Sequence, residues 1–399
     1  MLSKHKILIG ITGGIALYKA CEVIRLLKKE GAQVKAVLST GAEEFARPLL
    51  FSALTGEKTY TNSDFFSAGS MPHIELANWA EAILILPATA SFLSKLRCGQ
   101  ASELLLALLL ATRAPVYLFP SMNTVMLEHP ATQENLKVLR SYGYLIYEPA
   151  EGELACGEIG KGRLPEPLEI LEVIKAHFKP KDFFGKKVLI TGGPTREYID
   201  EVRFITNASS GKTAYLLVKE AYFRGAEVFL LWGHKEFPYE LPKLNYFSDI
   251  PYPKIITTLT TQEMFDQARA IFPEVDIGIF AGAPCDFKPK SSHTGKLKKR
   301  EPLTLELELT PDIAKGLSKI KDKQITIGFA LEEREKLLTY ALSKKAEKDF
   351  NLLIANPLET AGADTSDYLI LGPVFQEEFK NLSKEKLATL VFDLIGRLS

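Results

Sequence analysis

Ile7-Leu8-Ile9-Gly10-Ile11-Thr12-Gly13-Gly14 begins as an apolar strand and ends as a glycine-rich turn. About 180 residues later, Val188-Leu189-Ile190-Thr191-Gly192-Gly193-Pro194 does the same. Each turn precedes a segment with helical spacing, marked after the first by Ala16, Ala20, Val23, Ile24 and Leu27. A strand ending in such a turn leaves backbone N–H groups at a helix start, where they and the helix dipole favour an anion. Two such units, with different residues downstream of each, point to two nucleotide-using enzymes fused in one chain.

Outward from the first turn, residues 7–10, 34–38, 82–86, 116–119 and 144–147 read as strands, and 15–30 as a helix ended by Gly31. Three strand ends carry polar turns: Thr12-Gly13-Gly14, Pro87-Ala88-Thr89 and Pro120-Ser121-Met122-Asn123. Residues 168–178 read as a closing helix, and Lys179-Pro180-Lys181-Asp182 as a polar linker. The pattern then restarts, with strands at 188–191, 228–232, 277–281, 325–329 and 352–355 and helices at 213–224 and 262–271. Residues 304–309 alternate like a half-exposed strand. Residues 288–300 hold six basic side chains without apolar periodicity and read as a mobile surface loop. The fold class is α/β: two doubly wound, mostly parallel-sheet Rossmann-like domains in tandem, 1–180 and 181–399.

The chain has 399 residues, 46% hydrophobic and 25% charged, enough for two sizeable cores. Its 49 basic and 49 acidic residues cancel, which argues against broad nucleic-acid or membrane attraction. The most apolar run, 104–111, is too short to span a bilayer and reads as a buried helix. Cys21, Cys98, Cys156 and Cys285 show no paired spacing and suit a reducing cytoplasm.

Candidate chemistry in the first half gathers at three places. His73 begins a helix-like segment, where a lone histidine is commonly structural. Asn123 follows a strand end, where a simple turn residue is the alternative. Cys156 stands among three glycines in Glu153–Arg163. A small buried residue is the ordinary fate of a lone cysteine, but a glycine-rich loop permits close backbone approach to a ligand.

In their order, the Gly13-Gly14 turn, Pro87-Ala88-Thr89-Ala90, Pro120-Ser121-Met122-Asn123-Thr124-Val125-Met126 and the Cys156 loop resemble the flavin-dependent cysteine decarboxylases. Ile190-Thr191-Gly192-Gly193-Pro194-Thr195-Arg196-Glu197, Asn207-Ala208-Ser209-Ser210-Gly211-Lys212 and Lys296-Leu297-Lys298-Lys299 resemble phosphopantothenate–cysteine ligases. Nearly the whole chain thus resembles the bacterial bifunctional enzymes of coenzyme A synthesis. For the first half the resemblance implies FMN held at Gly13, Gly14, Ser39 and Thr89. It implies oxidation of the substrate thiol to a thioaldehyde, whose C=S group takes up the electrons of decarboxylation. His73 would assist, Asn123 would orient the departing carboxylate, and Cys156 would donate a proton to the ene-thiol. Lys161 and Arg163 would clamp the phosphopantetheine moiety. Leu127 stands where the family has an aromatic residue, and Ser91 and Ser102 where asparagine is common.

For the second half the resemblance implies activation of 4′-phosphopantothenate by CTP. An acyl-cytidylate forms with loss of pyrophosphate, and cysteine's amine then attacks it. Mg²⁺ or Mn²⁺ would neutralise the triphosphate, through ligands the sequence does not reveal. Lys296 aligns with the catalytic lysine, and residues 288–300 would form a lid over the nucleotide. Asn207 would support conversion of the acyl-cytidylate. Nucleotide contacts carry over to Phe280, Ala281, Gly282, Asp286, Lys296, Pro311, Asp312, Ile313, Ala314, Phe329, Lys344 and Lys348. Pro284-Cys285 and Asn356-Pro357 depart from the family pattern, and Cys285 reads as packing. Trimeric decarboxylase and dimeric ligase domains imply a homo-oligomer, plausibly a dodecamer.

Three rival readings differ in class. A nicotinamide oxidoreductase would need G-x-G-x-x-G, which neither turn completes. A non-catalytic flavoprotein relative typically lacks the histidine or the cysteine, and this chain has both. A chain with only one active half is separated from the bifunctional reading by assaying each half alone.

Overall fold

Ile7, Ile9 and Ile11 face one apolar layer of the first unit and Leu8 faces the other, so a strand without polar alternation is sealed on both sides. The computed structural model describes residues 2–66, 69–153, 157, 159–244, 250–298, 303–360 and 362–398. The chain divides into two units, the first running to Phe178 and the second beginning at Lys179. Among the described residues, no helix is long and apolar enough to cross a membrane.

In the first unit, β1 (Lys6–Ile11), β2 (Gln33–Leu38), β3 (Thr59–Tyr60), β4 (Ala82–Ala88), β5 (Val116–Pro120) and β6 (Leu145–Ile146) form a parallel sheet ordered β3-β2-β1-β4-β5-β6. Chain order reverses between β1 and β4, and sheets of this kind bind ligands at the carboxyl ends of the strands flanking such a reversal. One face packs against the helices Tyr18–Lys29 and Pro167–Phe178, the other against Pro72–Trp79, Ala90–Arg97, Leu104–Ala111 and Pro130–Ser141. The run 104–111 is indeed a buried helix. Its leucines at 104, 105, 106, 108 and 109 are buried, each worth about 2 kcal/mol of transfer free energy. A separate antiparallel hairpin joins β7 (Ala150–Glu153) to β8 (Ile159–Arg163).

The second unit contains β9 (Lys187–Gly192), β10 (Arg196–Tyr198), β11 (Phe204–Thr206), β12 (Glu227–Trp232), β13 (Lys254–Thr257), β14 (Ile277–Phe280), β15 (Phe287–Pro289), β16 (Leu307–Leu309), β17 (Ile325–Glu332), β18 (Leu352–Pro357), β19 (Thr365–Leu371) and β20 (Gln376–Ser383). Its main sheet runs β13-β12-β9-β14-β17-β18-β19-β20, parallel up to β18 and antiparallel beyond. Order reverses between β9 and β14, which places the second glycine turn in the same topological position as the first. The pairs β10–β11 and β15–β16 are small antiparallel ribbons outside this sheet.

Two segments differ from their sequence reading. Residues 179–182, read as a polar linker, are part of the second unit and packed into it. The Lys179 Nζ lies 2.7 Å from Glu220 Oε1, with 8% and 5% of the two side chains exposed. Arg224 binds Asp182 through Nε at 2.9 Å and Asp393 at 2.6 Å, with its guanidinium over the Phe183 ring. Residues 288–300, read as a mobile loop, are tied down over their described part. Phe287–Pro289 pairs with Leu307–Leu309, and the His293 N–H donates to Ile199 O at 2.9 Å. Lys299 and Arg300 lie outside the described residues.

Candidate active sites

In the first unit, the ends of β2, β1 and β4 converge through small polar residues. Thr12 Oγ1 donates to Pro87 O at 2.6 Å, and the Thr89 N–H donates to Thr12 Oγ1 at 3.2 Å. Ser39 and Thr89 each cap a helix: Ser39 Oγ accepts from the Ala42 N–H at 3.3 Å and Thr89 Oγ1 from the Phe92 N–H at 3.4 Å. A methyl group on Gly13 would sit 2.5 Å from Gly41 O, so only glycine allows this backbone approach. One on Gly14 would meet Thr89 Cγ2 at 3.2 Å. Gly13, Gly14, Ser39 and Thr89 therefore gather in one cluster where β1, β2 and β4 end. Sequence reasoning missed two of its supports, Thr12 and Glu103. The buried Glu103 carboxylate accepts from the Thr40 N–H at 2.9 Å and the Thr40 hydroxyl at 3.0 Å. Thr12 stood inside a quoted motif, while nothing in the local sequence marks Glu103.

His73 is the second residue of the helix Pro72–Trp79. Its Nδ1 is buried and, among the described residues, has no hydrogen-bond partner, and its ring meets Phe65 edge-on at 5.5 Å. A buried polar atom left unpaired costs about 1–3 kcal/mol, which suits a group that completes its bonding with a ligand. Among the described residues, none of its hydrogen bonds or ring contacts reaches the Asn123 loop.

Asn123 caps the helix Thr124–Glu128, with Oδ1 accepting from the Val125 N–H at 2.8 Å. The hairpin β7–β8 is laid against this loop. The Met122 N–H donates to Gly162 O at 3.0 Å, and Thr124 Oγ1 donates to Lys161 O at 2.8 Å. Gly162 has φ 142°, and a methyl group there would sit 2.0 Å from Met122 O. Cys156, between the two hairpin strands, lies outside the described residues. The Lys161 side chain is exposed. Arg163 pairs with Glu166 at 2.8 Å, and Glu166 also receives the buried Lys19 at 2.9 Å.

In the second unit, the turns after β9 and β14 lock together. The Ala283 N–H donates to Gly193 O at 2.9 Å and the Gly282 N–H to Thr191 Oγ1 at 3.3 Å. Trp232, at the end of β12, packs against Gly193 and Gly211, and its indole N–H donates to Glu236 O at 2.8 Å. Asn207 reaches the same place, its Nδ2 donating to Pro284 O at 2.9 Å and Ala283 O at 3.3 Å. Cys285 is buried, with its N–H bonded to Thr195 Oγ1 at 2.9 Å. Burial pushes its thiol above the ordinary cysteine value, which keeps it protonated and inert.

The expected nucleotide contacts fall into two groups. Phe280, Ala281, Gly282 and Asp286 follow β14, and Asp286 O accepts from the Thr310 N–H at 3.0 Å, which leads into Pro311 and the helix Ile313–Ser318. Asp312 caps that helix, accepting from the Lys315 N–H at 3.1 Å, and pairs with Lys348 at 2.8 Å. Desolvation raises and the Lys348 ammonium lowers its carboxyl, with a net fall below the usual range. Phe329 sits within β17. Lys344, one turn before Lys348, is instead paired with Glu332 of β17. Lys296 is exposed on the tied-down segment after β15.

A residue the sequence reading passed over organises that segment. Asp200 is buried, and hydrogen bonding from the Arg203 guanidinium holds its carboxyl well below the usual carboxylate range. Asp-x-x-Arg in a polar stretch signals an Asx turn and nothing more.

Comparison with known proteins agrees with this two-part layout. Residues 1–179 match the family described as "Flavoprotein", and residues 183–398 match the "DNA/pantothenate metabolism flavoprotein C-terminal domain". The chain is 40% identical over 368 residues to the coenzyme A biosynthesis bifunctional protein CoaBC of Bacillus subtilis, covering 91% of this chain and 88% of that protein. It is 38% identical over 406 residues to the protein of that name from Vibrio cholerae, covering 99% and 98% respectively. A crystal structure of the C-terminal domain of such a protein covers 55% of this chain and 97% of its own, with 33% identity and a TM-score of 0.46. A flavoprotein segment, a pantothenate-metabolism segment and relatives matched end to end establish that the chain belongs to the family of bifunctional coenzyme A biosynthesis enzymes.

Proposed function

We propose that residues 181–399 join cysteine to 4′-phosphopantothenate at the expense of CTP, and that residues 1–180 decarboxylate the product to 4′-phosphopantetheine. The observation that carries this reading is the end-to-end similarity to bifunctional relatives, 98% of the Vibrio cholerae protein's length.

The cluster at the strand ends of the first unit fits a phosphate-bearing flavin, because the Gly13–Gly41 approach presents backbone there and, among the described residues, His73 Nδ1 has no hydrogen-bond partner. When bound, FMN would take two electrons from the substrate thiol, which allows carbon dioxide to leave, and would give the same two electrons back to the ene-thiol, so that the product ends at the thiol level. Gly13, Gly14, Ser39 and Thr89 hold it. His73 assists at the reacting carbon. Asn123, fixed as a helix cap, orients the carboxylate. Cys156 gives a proton to the ene-thiol, and Lys161 and Arg163 close the hairpin on the substrate phosphate. Arg163 must then exchange Glu166 for phosphate, a trade that a doubly charged anion favours.

In the second unit Lys296 offsets charge as the carboxylate attacks the α-phosphate of CTP. Asn207 acts next, when cysteine attacks the acyl group. The base and sugar lie along Phe280–Gly282, Asp286, Pro311–Ala314 and Phe329, with Lys344 and Lys348 behind them. Among the described residues no three His, Cys, Asp or Glu side chains gather as a metal site. CTP enters as its Mg²⁺ or Mn²⁺ complex, the ion neutralising the triphosphate. The enzyme works in the cytoplasm as a homo-oligomer, a dodecamer in our reading. An exposed apolar row, Leu303, Leu305, Leu307 and Leu309, supports self-association. The opposite face of that ribbon is already neutralised by Lys288–Glu308 and Lys290–Glu306 pairs.

The test is one coupled assay with 4′-phosphopantothenate, cysteine, CTP and Mg²⁺ in which pyrophosphate and carbon dioxide are followed separately. Pyrophosphate without carbon dioxide would reduce the proposal to the ligase, and neither product would end it. Light scattering at the mass of one or two chains, with both activities present, would overturn the dodecamer.

A further inference from the structure

The described part of the Lys296 segment is fastened to the turn at residues 199–203 by four backbone attachments. The His293 N–H donates to Ile199 O at 2.9 Å, and the Gly295 N–H to Glu201 Oε1 at 3.0 Å. The Leu297 N–H donates to Asp200 Oδ2 at 3.1 Å, and Leu297 O accepts from Arg203 Nη2 at 2.7 Å. Lys296 is thus bracketed on both sides while its own side chain stays exposed.

The two oxygens of the buried Asp200 carboxylate divide the work. Oδ1 closes the local turn, accepting from the N–H groups of Val202 at 2.8 Å and Arg203 at 2.7 Å. Oδ2 faces outward to the lysine segment, accepting from Leu297 and from the Arg203 guanidinium, whose Nε lies 2.9 Å away. A charged acceptor on three backbone donors and a guanidinium is among the stronger arrangements available to a side chain. Every donor around Oδ2 needs an acceptor there.

We infer that Asp200 is a positioning residue of the ligase, which through Leu297 and Arg203 fixes where Lys296 stands. The inference rests on the reading of Lys296 given above. Fixing the backbone on both sides of a lysine removes most of the freedom its ammonium would otherwise lose on meeting the triphosphate.

The carboxylate's division of labour supplies a clean test in the full-length enzyme. In Asp200→Asn the amide oxygen can still close the turn, but the NH₂ then faces three donors and releases the Lys296 segment. We expect acyl-cytidylate formation to slow roughly 10- to 100-fold, with KM for CTP within about twofold and cysteine attack on preformed acyl-cytidylate unchanged. Trypsin should cut sooner after Lys296 and Lys298, while the circular dichroism spectrum stays that of the wild type. Glu201→Ala, which removes only the Gly295 attachment, should slow the same step by a smaller factor. Lys296→Gln must abolish acyl-cytidylate formation. If it does not, the reading of Lys296 fails and the inference with it. If it does, while Asp200→Asn and Glu201→Ala form acyl-cytidylate at the wild-type rate, the inference alone is wrong. Equal slowing of both half-reactions by Asp200→Asn would also overturn it, as general damage.

Discussion

The Gly162 carbonyl accepts a hydrogen bond from the Met122 N–H at 3.0 Å, and the two backbones approach so closely that a methyl group on Gly162 would lie 2.0 Å from Met122 O. The hairpin that leads to Cys156 is therefore seated directly on the loop that presents Asn123.

Gly162→Ala should unseat the hairpin without touching the flavin site. The protein should stay yellow, and carbon dioxide release should fall by roughly 100-fold, the scale of a misplacement of about 1 Å in a preorganised site. Normal turnover with a normal visible spectrum would show that the seat is irrelevant to catalysis.

Cys156→Ser should bind FMN and release carbon dioxide once, then stall with the ene-thiol unprotonated. Mass spectrometry of quenched single-turnover reactions should find that oxidised product and little phosphopantetheine. Multiple turnovers by the variant would remove Cys156 from the mechanism.

Asn207 turns its amide N–H toward two carbonyls, Ala283 and Pro284. Aspartate would place an anion against them, so Asn207→Asp should shift the turn that follows β14. Acyl-cytidylate should still form and then accumulate, with overall ligation down on the order of 100-fold. An unchanged acyl-cytidylate level in reactions with cysteine would contradict this.

The Lys179–Glu220 pair carries consequences for cutting the chain. A second-half fragment starting at Phe178 keeps the pair, and one starting at Asp182 leaves Glu220 buried without its nearest cation. Breaking a buried pair costs about 3–5 kcal/mol, lessened here by Arg224 Nη1 at 3.9 Å from the same carboxylate. The shorter fragment should melt several degrees lower by calorimetry. Equal melting temperatures would mean the pair adds nothing.

Lys181 gives a pH signature. Burial holds its amine down at about 8, against 10.5 for an ordinary lysine. Between those values the unfolded chain binds a proton that the folded chain has released. The stability contribution of Lys181 therefore rises with pH through that window and is lowest and flat below it. Denaturant unfolding of wild type and Lys181→Met should diverge in favour of wild type as pH rises from about 7 to about 10. A constant difference would cancel the shift.

The parallel strands were legible because burial on both faces makes their sequences continuously apolar, as in Ile7–Ile11 and Val188–Ile190. The two glycine turns were legible for a related reason: close backbone approach admits few residue types. Of the short ribbon strands only β16 was, inside the alternation of residues 304–309; β10, β11 and β15 have three residues each, and β20 reads Gln-Glu-Glu-Phe-Lys-Asn-Leu-Ser, too polar to announce a strand. Residues 144–147 show the converse, since only Leu145–Ile146 joins the sheet. Of the site, residues inside motifs could be named in advance. Glu103 and Asp200 act through partners 63 and 97 positions away, and no local pattern encodes such distances.

Trp232, packed against Gly193 and Gly211, has one counterpart in the chain, Trp79, which ends the helix that begins at Pro72-His73 and has Lys35 Nζ 4.7 Å from its ring centre. Each unit thus owns a single tryptophan, one against the second glycine turn and one on the histidine helix. Replacing either by phenylalanine leaves a tryptophan emission that belongs to one half alone. Nucleotide arrival at the ligase and substrate arrival at the decarboxylase become separate optical signals in the same unlabelled molecule.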